Sequence, residues 1–274
     1  MTNNPTFVIP LGAGSTWDNN ELRYMLRSLE KHCQFDFDVI IYCTKQVDWL
    51  TCKQVVVERT YPQEVLDHFA GSRHYENYYD VIHKLRAAIE DEEVPEEFFF
   101  MYDDILLLTD LYLNDLRTIY AGSEYKNNPK FYDDPKNKWM RTIHASLVAS
   151  KRHERPMFLY ETHLPRWFKK SNLTEMFNKF SPEANRIPYA ISTLYYNMFY
   201  DKPDVCYFKD NTVKAGFYGG VHKSTSDMFL SRSNAEINDA VRDKIWANHS
   251  NAGLTGTFKL WMEKIYTKKS RYEI

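Results

Sequence analysis
The chain has 274 residues, 43% of them hydrophobic and 26% charged, a composition that suits an ordinary folded domain with a sizeable core. Its formal net charge of −2 argues against a sequence-independent grip on nucleic acid, which needs a cationic face. No apolar stretch approaches the roughly 20 residues that span a bilayer, so contact with a membrane-bound acceptor is expected to be peripheral at most.

Aromatic residues reach 16%, with 20 Tyr and 17 Phe. Such side chains fill cores more often than they bind sugars or bases. Cys33, Cys43, Cys52 and Cys206 form no CxxC pair. With no signal-peptide pattern at the N-terminus, the expectation is free thiols in a reducing cytoplasm, with the inner membrane face as the place of any membrane contact.

In chain order, Thr6–Leu11 is an apolar run that ends in Gly12-Ala13-Gly14, the pattern of a strand and a turn. Residues 18–32 predict a helix: Asp18 and Glu21 stand in capping-box positions, and Leu22, Met25, Leu26 and Leu29 form an apolar stripe. Arg23, Arg27 and Lys31 line another face. Residues 37–43 and 53–58 read as strands, residues 79–92 as a helix, and residues 98–102 (FFFMY) as a strongly apolar strand. This order predicts an α/β fold with a mostly parallel, Rossmann-type sheet flanked by helices. Ligands of such sheets bind beyond the carboxyl ends of the strands.

After that last strand come Asp103 and Asp104. Carboxylates are seldom buried unless paired or bound to metal, and two at a strand end suit Mg²⁺ or Mn²⁺ holding a diphosphate. A strand terminator or helix N-cap would leave the same trace. Residues 124–138 are polar and aperiodic, which predicts a surface loop or lid between a core at 1–123 and a mainly helical part at 139–274 that completes the site, all within one continuous domain. A short strand is expected at residues 157–160. The basic run Lys264, Lys268, Lys269 and Arg271 reads as a solvated helix face.

The run Asn19-Asn20-Glu21-Leu22-Arg23-Tyr24-Met25-Leu26-Arg27-Ser28-Leu29-Glu30-Lys31 resembles the second conserved region of the Stealth family, the capsular and lysosomal-type hexose-1-phosphate transferases. Val47-Asp48-Trp49-Leu50 and Tyr102-Asp103-Asp104 continue that likeness. Thr162-His163-Leu164-Pro165 with Leu173-Thr174-Glu175-Met176-Phe177 is similar to the family's third region, and residues 237–239 with 261–273 to its fourth. Two departures stand at the donor site. Ile9-Pro10-Leu11-Gly12-Ala13-Gly14 replaces the family's opening Thr-Trp-Val-Asp-Gly motif, and Tyr102 replaces its Asn.

The resemblance implies a GT-A-like fold and metal-dependent transfer of a sugar 1-phosphate from a nucleotide sugar, most simply a UDP-sugar, to a glycan hydroxyl in bacterial capsule or surface-polysaccharide synthesis. It also implies Asp103 and Asp104 as metal ligands, Asp104 as a base, His163 as acid or base, and Arg186 as a phosphate clamp. Arg23, Asn238, Asp239, His222 and Lys223 are candidate substrate contacts. For Asn238 and Asp239 a helix N-cap, and for His222-Lys223 a plain Gly-rich loop, are competing readings. Two other functions remain open: a GT-A glycosyltransferase that moves the sugar alone, and an inactive glycan-binding module.

Overall fold
The computed structural model describes residues 4–58, 73–124, 138–180, 187–206, 212–216, 227–229, 232–250 and 253–274. Its strands are β1 (Thr6–Leu11), β2 (Asp38–Cys43), β3 (Lys53–Val56), β4 (Glu97–Phe100), β5 (Ile105–Leu107), β6 (Tyr120–Ala121), β7 (Ser123–Glu124), β8 (Phe158–Leu159), β9 (Arg166–Lys169), β10 (Val205–Cys206), β11 (Thr212–Ala215), β12 (Asp227–Phe229) and β13 (Trp246–His249). The principal helices are α1 (Asn20–His32), α2 (Arg73–Glu90), α3 (Lys138–Arg152), α4 (Lys170–Phe180), α5 (Ile191–Phe199), α6 (Asn234–Val241) and α7 (Gly256–Ile265).

The main sheet runs β3-β2-β1-β4-β9, with β1, β2, β3 and β4 parallel and β9 antiparallel on β4. All six residues of β1 are buried, as expected of a central strand covered on both faces. Phe7, Ile9 and Leu11 pack with the Leu22, Met25, Leu26 and Leu29 stripe of α1. Val8, Phe98 and Phe100 meet Ile82 and Leu85 of α2, Leu173 of α4 and Tyr195 of α5 on the other side. Each large apolar side chain so buried contributes roughly 1.5–3 kcal/mol. Tyr160, Phe168, Tyr195 and Tyr196 are buried together here, so much of the aromatic excess is packing.

A second sheet, β12-β11-β13-β5, lies on the far side of α1. Ser28 on α1 accepts from the β5 backbone at Leu107 N (3.0 Å), and Phe258, Trp261 and Met262 of α7 cover the sheet's other face with Val213, Ala215 and Leu106. Residues 139–274 thus supply helices as expected, but they also supply β9 to the main sheet and three strands to the second. The β4–β5 link carries the chain from one sheet to the other, and Asp103 and Asp104 lie on it.

Local expectations are corrected at several points. The N-cap of α1 is Asn19 in a left-handed conformation, without a side-chain cap, so Asp18 and Glu21 form no capping box. Ser15 serves instead: its Oγ accepts from the backbone of Trp17 and Asn19 and donates to Glu21 Oε2 (2.8 Å). The basic run near the C-terminus is not one helix face, because α7 stops at Ile265 and Arg271 pairs with Glu30 beyond it. Residues 125–137 of the expected lid lie outside the described residues. Among the described residues, no helix is long and apolar enough to cross a membrane.

Candidate functional site
In strand order 3-2-1-4 the sheet grows outward from β1 in both directions, so a crevice opens between β1 and β4 at their carboxyl ends. A cavity of about 660 Å³ occupies that place, within the size range of small-molecule sites. Residues 12–15 after β1 form one wall, with Glu21 from α1. Glu76, Asn77 and Asp80 of α2 form a second, and Tyr102, Asp103 and Asp104 the floor. His163 and His249 close the far side. A Cβ on Gly14 would meet nothing within 4 Å, so glycine there leaves room in the cavity rather than serving a special backbone angle.

The acidic pair is strongly perturbed. Burial, with repulsion from Asp104 and Glu21, pushes the Asp103 carboxyl up to about 7. Burial pushes Asp104 up to about 6, against the attraction of Lys214 and Arg166. Asp104 Oδ1 is buried with no hydrogen-bond partner, while the Asp104 backbone carbonyl accepts from His249 N (3.2 Å) at the end of β13. Five carboxylates, those of Glu21, Glu76, Asp80, Asp103 and Asp104, line one cavity. A cation bound among them would let a phosphate group approach such a wall.

Among the described residues, no group of three or more His, Cys, Asp or Glu is arranged to hold a metal by itself. Mg²⁺ at nucleotide sites commonly takes one or two carboxylates and completes its shell with phosphate oxygens and water. The orphaned Asp104 Oδ1 beside Asp103 fits that demand.

His163 sits at the turn before β9 with φ 40°, in the left-handed region, a conformation uncommon outside glycine. Its Nδ1 is buried and unpartnered, and its ring lies 5.9 Å from that of Tyr102. Burial, aided by Lys214 and Arg166, drives His163 down to about 3. The imidazole is therefore neutral at pH 7. His249 is pushed down to about 4 by burial and by Lys214.

Compared with known protein families and with characterised proteins, the chain matches none at a significant level.

Of the residues singled out in the sequence, Asp103, Asp104 and His163 share this cavity. Arg23 does not line it. Its guanidinium lies 4.3 Å from the centre of the Trp49 ring and 3.4 Å from Glu273, because the basic face of α1 receives the C-terminal segment. Asn238 and Asp239 also lie elsewhere. Asn238 Oδ1 accepts from Trp261 Nε1 (3.0 Å), and exposed Asp239 pairs with Arg242. Neither is an N-cap, since Ser233 caps α6. Arg186, His222 and Lys223 lie outside the described residues.

Sequence reading missed Glu21, Asp80, Lys84, Lys214 and His249. Lys84 is fully buried on α2 and donates to Leu11 O (2.6 Å), Thr44 Oγ1 (3.2 Å) and Asp80 Oδ2 (2.7 Å). It ties the ends of β1 and β2 to the helix that carries Asp80. Lysine on an amphipathic helix normally reads as solvated, so only the spacing Asp80–Lys84 (i, i+4) signalled a pair.

Proposed function
We propose that this chain is a metal-dependent transferase that moves a sugar 1-phosphate from a nucleotide sugar to a glycan hydroxyl, as in bacterial surface-polysaccharide synthesis. The observation that carries the reading is the pair Asp103-Asp104 with its orphaned oxygen, at the floor of a cavity in the switch crevice of a parallel sheet. The resemblance of residues 19–31, 162–177 and 261–273 to the Stealth family supports the choice of reaction. A UDP-sugar is the preferred donor, and Mg²⁺ or Mn²⁺ held by Asp103 and Asp104 would neutralise its diphosphate.

The remaining work falls to the chain's own groups. Residues 12–15 give the diphosphate an open wall, and Gly14 removes the side chain that would fill it. Neutral His163 takes the proton of the attacking hydroxyl on its imidazole, and an anionic donor beside it raises its basicity from the depressed resting value. Lys214, whose charge acts on Asp104, His163 and His249 alike, offsets negative charge that builds on the transferred phosphoryl group.

Chromatography of the nucleotide released from a panel of sugar nucleotides with a glycan acceptor tests the reaction. Phosphoryl transfer cleaves the diphosphate and releases UMP from a UDP-sugar. UDP in proportion to glycan extended would replace this reading with glycosyl transfer, and binding without consumption of any donor would leave a glycan-binding module.

A further inference from the structure
The turn that presents His163 is closed at both ends by one buried ion pair. Glu161 precedes the turn and Arg166 opens β9, and Arg166 Nη2 donates to Glu161 Oε2 at 3.2 Å. The two side chains are 7% and 4% exposed, so the pair spans the residues between them like a clasp. Its partners are specific. Glu161 Oε1 accepts from Thr193 N (3.3 Å) in the first turn of α5. That helix has Ala190 at its N-cap and no side-chain cap, so Glu161 caps it from outside.

Arg166 reaches Tyr102, the residue before the acidic pair, on its other side. It stands opposite Phe100 in the β4–β9 register, which puts its side chain on the face of Tyr102, two residues on. Arg166 Nη1 donates to Tyr102 Oη at 3.3 Å, and the guanidinium carbon lies 5.2 Å from the ring centre. Tyr102 is the residue before Asp103, and its ring also packs on His163. A single planar fork thus touches the segment that carries the carboxylates and closes the turn that carries the histidine.

We propose that Arg166 and Glu161 are positioning residues that hold His163 in its left-handed conformation and fix its distance from Asp103 and Asp104. The inference rests on the proposed transferase reading for its effect on turnover, but not for its effect on the His163 ring. Lysine keeps the charge yet is a point donor on a flexible stem, unable to reproduce the fork that serves Glu161 and Tyr102 together.

The test is Arg166→Lys, read by donor kinetics and by the NMR signals of the His163 ring, assigned with His163→Gln. The clasp predicts that kcat falls at least about tenfold, since small misplacement of a reacting group costs that much or more. Donor KM should stay within about threefold, because diphosphate binding does not use the fork, and the His163 ring signals should shift. Native kcat with unmoved His163 signals would overturn the proposal. Should Arg166→Lys not fold, the paired replacement Arg166→Met with Glu161→Gln removes both charges and is read in the same way. If the wild-type chain consumes no nucleotide sugar, the transferase reading fails. The His163 signals then decide the clasp alone, movement supporting it and constancy sinking it.

Discussion

Replacing Glu273 with alanine should loosen the whole back of the molecule, and the size of the effect can be worked from its contacts. The Glu273 side chain is fully buried, 246 residues along the chain from the Arg27 that receives it. Arg27 grips both oxygens, Nε to Oε1 at 2.7 Å and Nη2 to Oε2 at 2.7 Å, while Ser270 N adds a bond of 3.0 Å. Around it Ile274 N donates to Trp49 O, Thr51 N to Tyr272 O, and Tyr272 Oη to Phe37 O (2.6 Å). Removing one partner of a buried pair costs about 3–5 kcal/mol, because the other charge is left unpaired. At about 2–4 °C per kcal/mol for a chain of this size, Tm should fall by at least about 6 °C at pH 7.

The pH dependence has a definite sign. Burial alone would raise the Glu273 carboxyl, but the hydrogen bonds from Arg27 and Ser270 outweigh it and hold the group below its ordinary value of 4.5. Its contribution is therefore complete above that value and is lost as pH falls through the lower folded one. Differential scanning calorimetry of Glu273→Ala and wild type should show a gap at pH 7 that narrows below pH 4.5. A gap under about 2 °C at pH 7, or one that widens in acid, would refute the reasoning.

Three further outcomes follow from the same structure. His163→Ala should lower kcat by roughly a hundredfold with little change in donor affinity, as expected for loss of a proton acceptor; an unchanged rate would leave His163 only its packing on Tyr102. Lys84→Met removes all three bonds that the buried Nζ donates and should cost about 3 kcal/mol or more in chemical denaturation; a loss below about 1 kcal/mol would contradict the weight given to those bonds. A Cβ at Gly253 would overlap the Ala215 carbonyl, so Gly253→Ala should lower Tm through displacement of the strand edge beside His249. A Tm equal to wild type would show that this close approach is not required.

The parts of the fold visible in the sequence are those with a long, local signal. Thr6–Leu11 and residues 98–102 announce central strands by continuous apolar runs, and the α1 stripe at Leu22, Met25, Leu26 and Leu29 packs on β1 as its spacing implies. Asp103 and Asp104 stood out because carboxylates rarely follow such a strand without a task. The second sheet was hidden for the opposite reason. Thr212–Ala215, Asp227–Phe229 and Trp246–His249 span only three or four residues each, too few for alternation to speak.

The basic face of α1 misled for a different reason. Arg23, Arg27 and Lys31 have the i, i+4 spacing of a solvated or anion-binding stripe. Their partners, Glu273 and Ile265 O, lie more than two hundred residues away. The site shows the same limit. His163 stands out through the resemblance, but His249 joins the cavity only through strand order, and Lys84 meets the ends of β1 and β2 only through the packing of α2, which no local pattern of theirs encodes.

Calorimetric titration of UDP into the chain, with Mn²⁺ and again with excess chelator, tests the role given to Asp103 and Asp104 most directly. The account predicts one UDP per chain with Mn²⁺, binding weakened at least about tenfold by the chelator, and a similar loss in Asp104→Asn with Mn²⁺ present, since a carboxylate–cation–phosphate bridge is broken in each case. Equal UDP affinity with and without the cation, or in the Asp104→Asn variant, would contradict it.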